Sequence, residues 1–144
     1  MRTRLCIALA GAVLFAVPAL AAPVDFAARS EPDAVEASRT AWADSIDEAQ
    51  QEAGSSTAIA AFKVDLNGDG TPEIFGQVKN TYICGNAGPC VFVMTKPTGA
   101  YDVLFSVPGV ENAEILDSRT GGWLDLMIND DKKYRYTGGT YRNQ

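Results

Sequence analysis

Residues 64–75 read VDLNGDGTPEIF, and this stretch predicts a strand, a tight polar loop and a second strand. Oxygen-bearing side chains occupy loop positions one, three, five and nine, which are Asp65, Asn67, Asp69 and Glu73. Calcium takes about six to eight oxygen ligands, and a tight loop can direct alternate side chains toward one centre. Gly68 and Gly70 permit the backbone angles of such a turn. The pattern therefore predicts either a calcium loop or a simple polar hairpin turn, because Asn-Gly and Asp-Gly favour turns by themselves.

The loop differs from an EF-hand. Position twelve, where an EF-hand carries its bidentate Glu, is Gly76, and the following residues are strand-like rather than helical. The loop instead resembles the D-x-N-x-D-G-x-P-D/E signature of FG-GAP/VCBS-type β-proteins. This resemblance implies calcium held by the four side chains and by the carbonyl of Thr71 at position seven. Without a Glu at position twelve, we expect weak affinity, with a Kd of about 10⁻⁴–10⁻³ M.

The first 21 residues predict a secretory signal peptide. Arg2 and Arg4 precede an apolar run over 5–17, and the small-residue site Ala19-Leu20-Ala21 follows Pro18. The apolar run is short for a membrane span, so we expect no membrane insertion after cleavage and a periplasmic or secreted protein. Residues 22–30 are expected to form a linker, and residues 31–144 a single domain.

Charge and composition exclude several functions. Without Arg2 and Arg4, 10 of the 12 basic residues face 18 acidic ones, giving a net charge of −8. This charge argues against nucleic-acid partners and favours encounter with basic ones. The chain contains no His, which excludes catalytic triads with a His base and imidazole metal sites.

Two cysteines remain once the signal peptide is removed. Cys84 and Cys90 bound the Gly-rich segment CGNAGPC, and in an exported protein this pair predicts a disulfide. No basic neighbour would activate either thiol, so a redox role is disfavoured. The closed ring would hold a pre-ordered loop, and Asn86 and Gly88 within it are candidate partner-binding residues because ordered loops lose less entropy on binding.

The remaining pattern predicts a mainly β protein of the α+β class. Apolar residues at helical spacing predict one amphipathic helix over residues 31–53, ended by Gly54. Everything after Thr57 has the alternation and turn residues of short strands, and no crossover helix separates them. We therefore expect an antiparallel β-meander with one N-terminal helix packed on it.

A second resemblance covers more of the chain. The calcium-type loop is followed by the Cys-bounded loop, the strand Gly122-Trp123-Leu124-Asp125-Leu126 and a terminal Tyr-rich hairpin over 134–141. This order is similar to small exported bacterial proteins of uncharacterised function. More distantly it resembles I-type periplasmic lysozyme inhibitors and immunity proteins against peptidoglycan hydrolases.

Three further positions carry open alternatives. Thr137 to Tyr141 resembles the S-G-x-x-Y motif of a lysozyme-inhibitor family, so Gly138, Gly139 and Tyr141 are candidate partner-binding residues, although Gly-Gly also suffices for a hairpin turn. Asp125 either completes the calcium shell or is an edge-strand or solvent-facing acid. Trp123 is expected in the core, with an exposed binding anchor as the alternative.

These features predict a non-catalytic, calcium-binding β-domain that binds a partner. No pair of carboxylates has a fixed separation, so catalysis is not expected. The resemblance to inhibitors and the acidic charge favour a basic secreted or periplasmic lysozyme-type hydrolase as the partner. The alternative is a calcium-stabilised structural or envelope module without inhibitory activity.

Overall fold

The computed structural model describes residues 22–144. The predicted signal peptide, residues 1–21, lies outside the described residues. Four helices and eight strands follow in chain order: α1 (Phe26–Arg29), α2 (Pro32–Ala41), α3 (Ala43–Ala53), β1 (Ala58–Val64), β2 (Glu73–Lys79), α4 (Thr81–Cys84), β3 (Cys90–Thr95), β4 (Asp102–Val107), β5 (Ala113–Thr120), β6 (Trp123–Ile128), β7 (Lys132–Thr137) and β8 (Thr140–Asn143).

The strands form two consecutive four-stranded sheets. Strands β1 to β4 make the first sheet and β5 to β8 the second, each in sequence order and each antiparallel throughout. The mainly β, antiparallel meander predicted from the alternation is thereby confirmed. Short turns allow only neighbouring strands to pair, which is why sequence order and sheet order coincide.

The first sheet is covered on both faces. One face packs against the second sheet through Phe62, Phe75, Val91 and Val93, which share a core with Leu126, Ile128 and Tyr141. The other face carries a second apolar cluster of Ala61, Ile74, Phe92 and Met94 beneath α2 and the following turn. Five of the six residues of β3 are accordingly buried, as its continuous apolar run predicts.

Gly76 illustrates how closely the first sheet is packed. A Cβ atom built at this position would approach the ring of Phe92 within 2.3 Å. Glycine at the centre of β2 therefore makes room for the aromatic ring on the neighbouring strand.

The N-terminal region departs from prediction in two places. The expected single helix over 31–53 is two helices, interrupted at Trp42, whose backbone leaves helical geometry (φ −101°, ψ 9°). The ring of Trp42 packs against Phe92, 5.8 Å between centroids, so contact with the sheet accompanies the break. The expected linker 22–30 contains α1, and its Phe26 is 6% exposed in the core between the sheets. The apolar residues of this segment have no regular spacing in the sequence, but the segment packs against the core through Phe26.

The predicted disulfide between Cys84 and Cys90 is confirmed, with 5.5 Å between the Cα atoms. It joins the end of α4 to the start of β3. The short helix α4 was not predicted, because the region after Thr57 was expected to be entirely β. Asn80 begins it by accepting hydrogen bonds on Oδ1 from the backbone N–H groups of Tyr82 (2.8 Å) and Ile83 (3.3 Å).

Asn129 binds the chain segment between β4 and β5, which leads from the first sheet to the second. Its Oδ1 accepts a hydrogen bond from the N–H of Glu111 (2.8 Å), and its Nδ2 donates to the carbonyl of Gly109 (2.8 Å). Its backbone is left-handed, with φ 54°, a conformation that Asn tolerates better than most residues. The β4–β5 connection is thus fastened to the β6–β7 turn.

We predict that Asn129→Ala lowers the free energy of unfolding by about 1–3 kcal/mol, because it leaves backbone groups of the connection unpaired and places Ala in a left-handed conformation. Urea denaturation followed by circular dichroism measures this change. Asp131→Ala, an exposed substitution in the same turn, is the matched control and is expected to have a much smaller effect. Equal stability of the two variants would contradict the assignment.

Candidate metal centre

The predicted cation loop closes the hairpin between β1 and β2. Val64 pairs with Glu73 at the end of the ladder, so residues 65–72 form the turn. Gly68 and Gly70 both have positive φ, 75° and 84°, which the turn requires and which other residues adopt only with strain.

Three side chains fold back over the turn and accept hydrogen bonds from its backbone. The Asp65 carboxylate accepts from the N–H groups of Gly68 (2.7 Å) and Gly70 (2.9 Å). Asn67 Oδ1 accepts from the N–H of Asp69 (2.9 Å), and Asp69 Oδ1 accepts from the N–H of Thr71 (2.7 Å). These bonds fix the side chains against the backbone of the turn, where Asp69 is itself exposed to solvent.

Glu73 completes the group from the first position of β2. It is 4% exposed, and its Oε2 accepts from the N–H of Leu66 at 2.8 Å. The amide nitrogen of Asn67 donates both to Glu73 Oε1 (3.2 Å) and to Asp69 Oδ2 (3.0 Å). Asn67 therefore links two carboxylates that would otherwise repel each other.

Burial is the main cause that raises the pKa of Glu73, and the negative charges of Asp69 and Asp65 add to it. The hydrogen bond from Leu66 acts in the opposite direction. Of the ion pairs within residues 22–144, Lys63 with Asp33 and Lys133 with Asp125, neither involves the loop. The loop carboxylates thus form no ion pair within the described residues.

The geometry fits a hard, oxygen-binding cation in part. The five predicted ligand residues lie in one turn, and all their donor atoms are oxygens: Asp65, Asn67, Asp69, Thr71 and Glu73. Within the described part of the chain, however, no group of three or more His, Cys, Asp or Glu side chains is gathered as a metal site. The carboxylates are connected through the amide of Asn67, whose neutral oxygen and the Thr71 carbonyl would have to complete a calcium shell.

The loop is also fastened to the second sheet, which the sequence did not indicate. The carbonyl of Leu66 accepts hydrogen bonds from the N–H of Leu124 (2.8 Å) and from Arg119 Nη1 (3.1 Å), and the Leu66 side chain is fully buried. Arg119 Nη1 also donates to the carbonyl of Gly122 at 2.8 Å. In the sequence, the only local indication of this contact was that Leu66, an apolar residue, occupies the second position of a polar loop.

Asp125 is neither an edge-strand acid nor a solvent-facing one. It lies on β6, between β5 and β7, and is 1% exposed. Its Oδ2 accepts from the hydroxyl of Ser118 (2.7 Å) and contacts Lys133 Nζ at 3.1 Å. The expectation of an edge-strand or solvent-facing acid is therefore corrected, because cross-strand partners bury this carboxylate. Its Oδ1 has no hydrogen-bond partner within residues 22–144, and completion of a calcium shell by Asp125 stays a prediction.

The candidate partner-binding residues fall in separate places. Asn86 is exposed and Gly88 half-buried in the disulfide loop, while Gly138 and Gly139 form the exposed β7–β8 turn. Tyr141, by contrast, is 3% exposed and its hydroxyl donates to the carbonyl of Leu124 at 2.8 Å, so it belongs to the core. Burial, with the nearby charges of Glu73 and Asp125, raises the pKa of its phenol.

Trp123 is half-buried and packs against the core, which is close to the expectation that it lies in the core.

The Asp125 pair gives a pH-dependent prediction. Burial raises the pKa of Asp125, but hydrogen bonds from Ser118, Thr120 and Lys133 together with the Lys133 charge outweigh it, and the pKa is lowered overall. A carboxylate of this kind contributes stability above its unfolded pKa of about 3.9, and this contribution is lost as the pH falls through the folded pKa. We predict that Asp125→Asn lowers the free energy of unfolding by about 1–3 kcal/mol at neutral pH.

The difference in the free energy of unfolding between Asp125→Asn and the unsubstituted protein should become smaller as the pH falls below about 4. Denaturation at a series of pH values measures it, with Asp117→Asn, an exposed acid on β5, as the control. A difference that stays constant down to the most acidic pH would contradict the ion-pair assignment.

Comparisons with known proteins add no family. No protein-family model, curated protein or solved structure matches the chain. Among the described residues, no helix is both long enough and apolar enough to cross a membrane.

Proposed function

We propose that this protein is an exported, non-catalytic binding module whose loop 65–72, together with Glu73, binds calcium. One observation carries the proposal: the carboxylates of Asp69 and the buried Glu73 meet at the amide of Asn67 beside a glycine-bent turn, and neither forms an ion pair within residues 22–144. Asp69 and Glu73 both lie within hydrogen-bond distance of the same amide nitrogen, that of Asn67.

Electrostatics favours a cation at this loop. The guanidinium of Arg119 donates to the carbonyls of Leu66 and Gly122 and forms no ion pair with the loop carboxylates. Burying an unpaired carboxylate such as that of Glu73 is costly. A bound divalent cation would replace the Asn67 donor and relieve the repulsion.

The donor set favours a hard cation such as calcium over the softer transition metals. Carboxylate, amide and carbonyl oxygens are ligands of hard cations, and the loop offers neither imidazole nor thiolate. When bound, calcium supplies charge neutralisation and rigidity. The chain's own contribution is to hold the ligands of Asp65, Asn67, Asp69 and Glu73 and the carbonyl of Thr71 around one turn.

Calcium binding at this loop would stabilise more than the hairpin. Leu66 lies inside the loop sequence, and its carbonyl and side chain join the loop to the second sheet. An ion that orders the loop would therefore also strengthen the contact between the sheets. Binding to the folded state alone raises the unfolding free energy by mass action.

We predict that millimolar calcium raises the melting temperature of the unsubstituted protein, and that Asp69→Asn and Asp69→Ala abolish this rise. Asp69→Asn is the sharper variant, because an amide can still accept the Thr71 hydrogen bond but carries no charge. Isothermal titration calorimetry should give a Kd of about 10⁻⁴–10⁻³ M for the unsubstituted protein.

Asp102→Asn, an exposed acid at the start of β4 and outside the loop, is the matched control and should keep the response to calcium. Absence of both binding heat and thermal shift at millimolar calcium would refute the calcium proposal.

A specific surface supports a basic hydrolase as the binding partner. The exposed sides of α2 and α3 carry six acids and one base: Asp33, which pairs with Lys63 of β1, Glu36, Asp44, Asp47, Glu48, Glu52 and Arg39. Complementary charge accelerates encounter with a basic enzyme. The sequence resemblance to lysozyme inhibitors points to the same class. A calcium-stabilised envelope module that inhibits nothing is the alternative.

We predict that the purified protein inhibits a basic lysozyme-type hydrolase, and that inhibition weakens as salt is added, because salt screens the charges. The double variant Asp44→Asn/Asp47→Asn should inhibit less well. The double variant Asp102→Asn/Glu111→Gln, which removes the same charge elsewhere on the surface, should not. No inhibition at tens of micromolar across several hydrolase classes would leave the envelope module as the function.

A further inference from the structure

A cleft of about 360 Å³ opens beside the loop, where the two sheets meet. The first sheet contributes the loop residues Asp69 and Thr71 and the start of the β3–β4 turn. The second sheet contributes Trp123, at the beginning of β6, and Tyr136, on β7. This volume lies within the range of small-molecule sites, which combine apolar surface with a few convergent polar groups.

The aromatic side of the cleft is a stacked pair. The rings of Trp123 and Tyr136 lie 4.4 Å apart between centroids and within 10° of parallel. Within residues 22–144 neither Trp123 Nε1 nor the Tyr136 hydroxyl forms a hydrogen bond, and neither is buried without a partner, so both polar atoms reach solvent. The pair thus lines the cleft with aromatic surface and with two hydrogen-bonding groups that have no partner among the described residues.

The opposite side of the cleft is polar. Asp69 uses two of the acceptor positions of its carboxylate, for Thr71 N–H and Asn67 Nδ2, and keeps others free. The hydroxyls of Thr71 and Thr95 make no hydrogen bond within the described residues, and Lys96 supplies an ammonium group. Acceptors, donors and hydroxyls therefore line the cleft together with the aromatic pair and with Pro97 and Leu104.

This combination suits a saccharide. One face of a pyranose ring presents C–H groups of partial positive charge, which pack on the negative face of an aromatic ring. Its hydroxyls, spaced along the ring edge, both donate and accept hydrogen bonds, and so match a mixed set of carboxylate, hydroxyl and ammonium groups. An anionic ligand would meet the carboxylates of Asp69 and Glu73.

A cationic ligand fits less well than a neutral one. Recognition of a quaternary ammonium group uses several aromatic faces arranged as a cage. Trp123 and Tyr136 are nearly parallel and cover each other's faces on one side, so they form a platform instead of a cage. Lys96 adds a positive charge to the same cleft.

We propose that the cleft between the loop and the Trp123–Tyr136 pair binds a neutral oligosaccharide, with a sugar ring packed on the aromatic platform and its hydroxyls hydrogen-bonded to Asp69, Thr71 and Thr95. This site goes beyond the calcium proposal and does not require it, because Trp123, Tyr136 and Thr95 are not among the proposed calcium ligands. Four of those ligands, Asn67, Asp69, Thr71 and Glu73, line the cleft as well. If calcium occupies the loop, the carboxylate of Asp69 is shared between the ion and the cleft.

The test uses fluorescence of the full mature chain. The protein has two tryptophans, and Trp42 lies beneath the helices with its Nε1 buried and unpaired, so Trp42→Phe leaves Trp123 as the reporter. Titration with chitotriose, cellotriose and maltotriose to about 10 mM should change Trp123 emission for at least one sugar, with saturation in the millimolar range.

Calorimetry on variants locates the site. Trp123→Ala and Thr95→Val should weaken binding of that sugar, Trp123→Ala by at least about tenfold. Tyr82→Ala removes an aromatic side chain that is 43% exposed outside the cleft and should leave affinity unchanged. Circular dichroism establishes that each variant is folded; Thr95→Val is the conservative substitution should Trp123→Ala fail to fold.

The titration is repeated with calcium and with chelator. Sugar binding in chelator supports the cleft even if the loop binds no calcium, so the two proposals can fail separately. Sugar binding that occurs only when calcium is present, and that the Asp69→Asn variant loses, supports a cleft shared with the ion. Three outcomes would each overturn the saccharide site. The first is no response to any of the three sugars in either condition, and the second is unchanged affinity in Trp123→Ala and Thr95→Val. The third is binding of choline in place of sugars.

Discussion

The contact between Leu66 and the second sheet is the constraint on which the rest of the structure depends. Leu66 belongs to the polar loop of the first sheet, yet its side chain is fully buried between the sheets and its carbonyl receives hydrogen bonds from Leu124 and Arg119. The loop is anchored at Leu66, while its residues 68–71 are exposed to solvent. The carboxylate of Asp69 consequently lies beside the cleft between the sheets and close to the buried carboxylate of Glu73.

Electrostatics and packing oppose each other at this point. Burial of Glu73 next to Asp65 and Asp69 gathers negative charge in a region of reduced dielectric, which raises the pKa of Glu73. Hydrogen bonds from Leu66 and Asn67 offset part of that cost. On β6, the buried Asp125 shows the other solution, because Lys133 and Ser118 compensate its charge and the pKa falls. The contrast between these two acids is why a cation is proposed for one and not for the other.

The sequence predicted the local parts of this protein well. Alternating strands, turn residues and the short spacing of Cys84 and Cys90 predicted the meander and the disulfide, and both are confirmed. The loop residues 65–73 do form one turn between two strands, although calcium binding there stays a prediction. The helical region was predicted only in outline: apolar spacing indicated helix over 31–53 but did not reveal the break at Trp42, which coincides with its contact with Phe92.

By itself, then, the sequence determined which residues pair, turn and cross-link with near neighbours, because strand period, glycine conformation and ring closure act over short distances along the chain. Tertiary structure alone decided that Phe26 enters the core, that Tyr141 is buried instead of exposed, that Asp125 pairs with Lys133, and that Trp123 stacks on Tyr136 beside the loop. These contacts depend on how one sheet lies on the other and on strand register, and no local pattern encodes either.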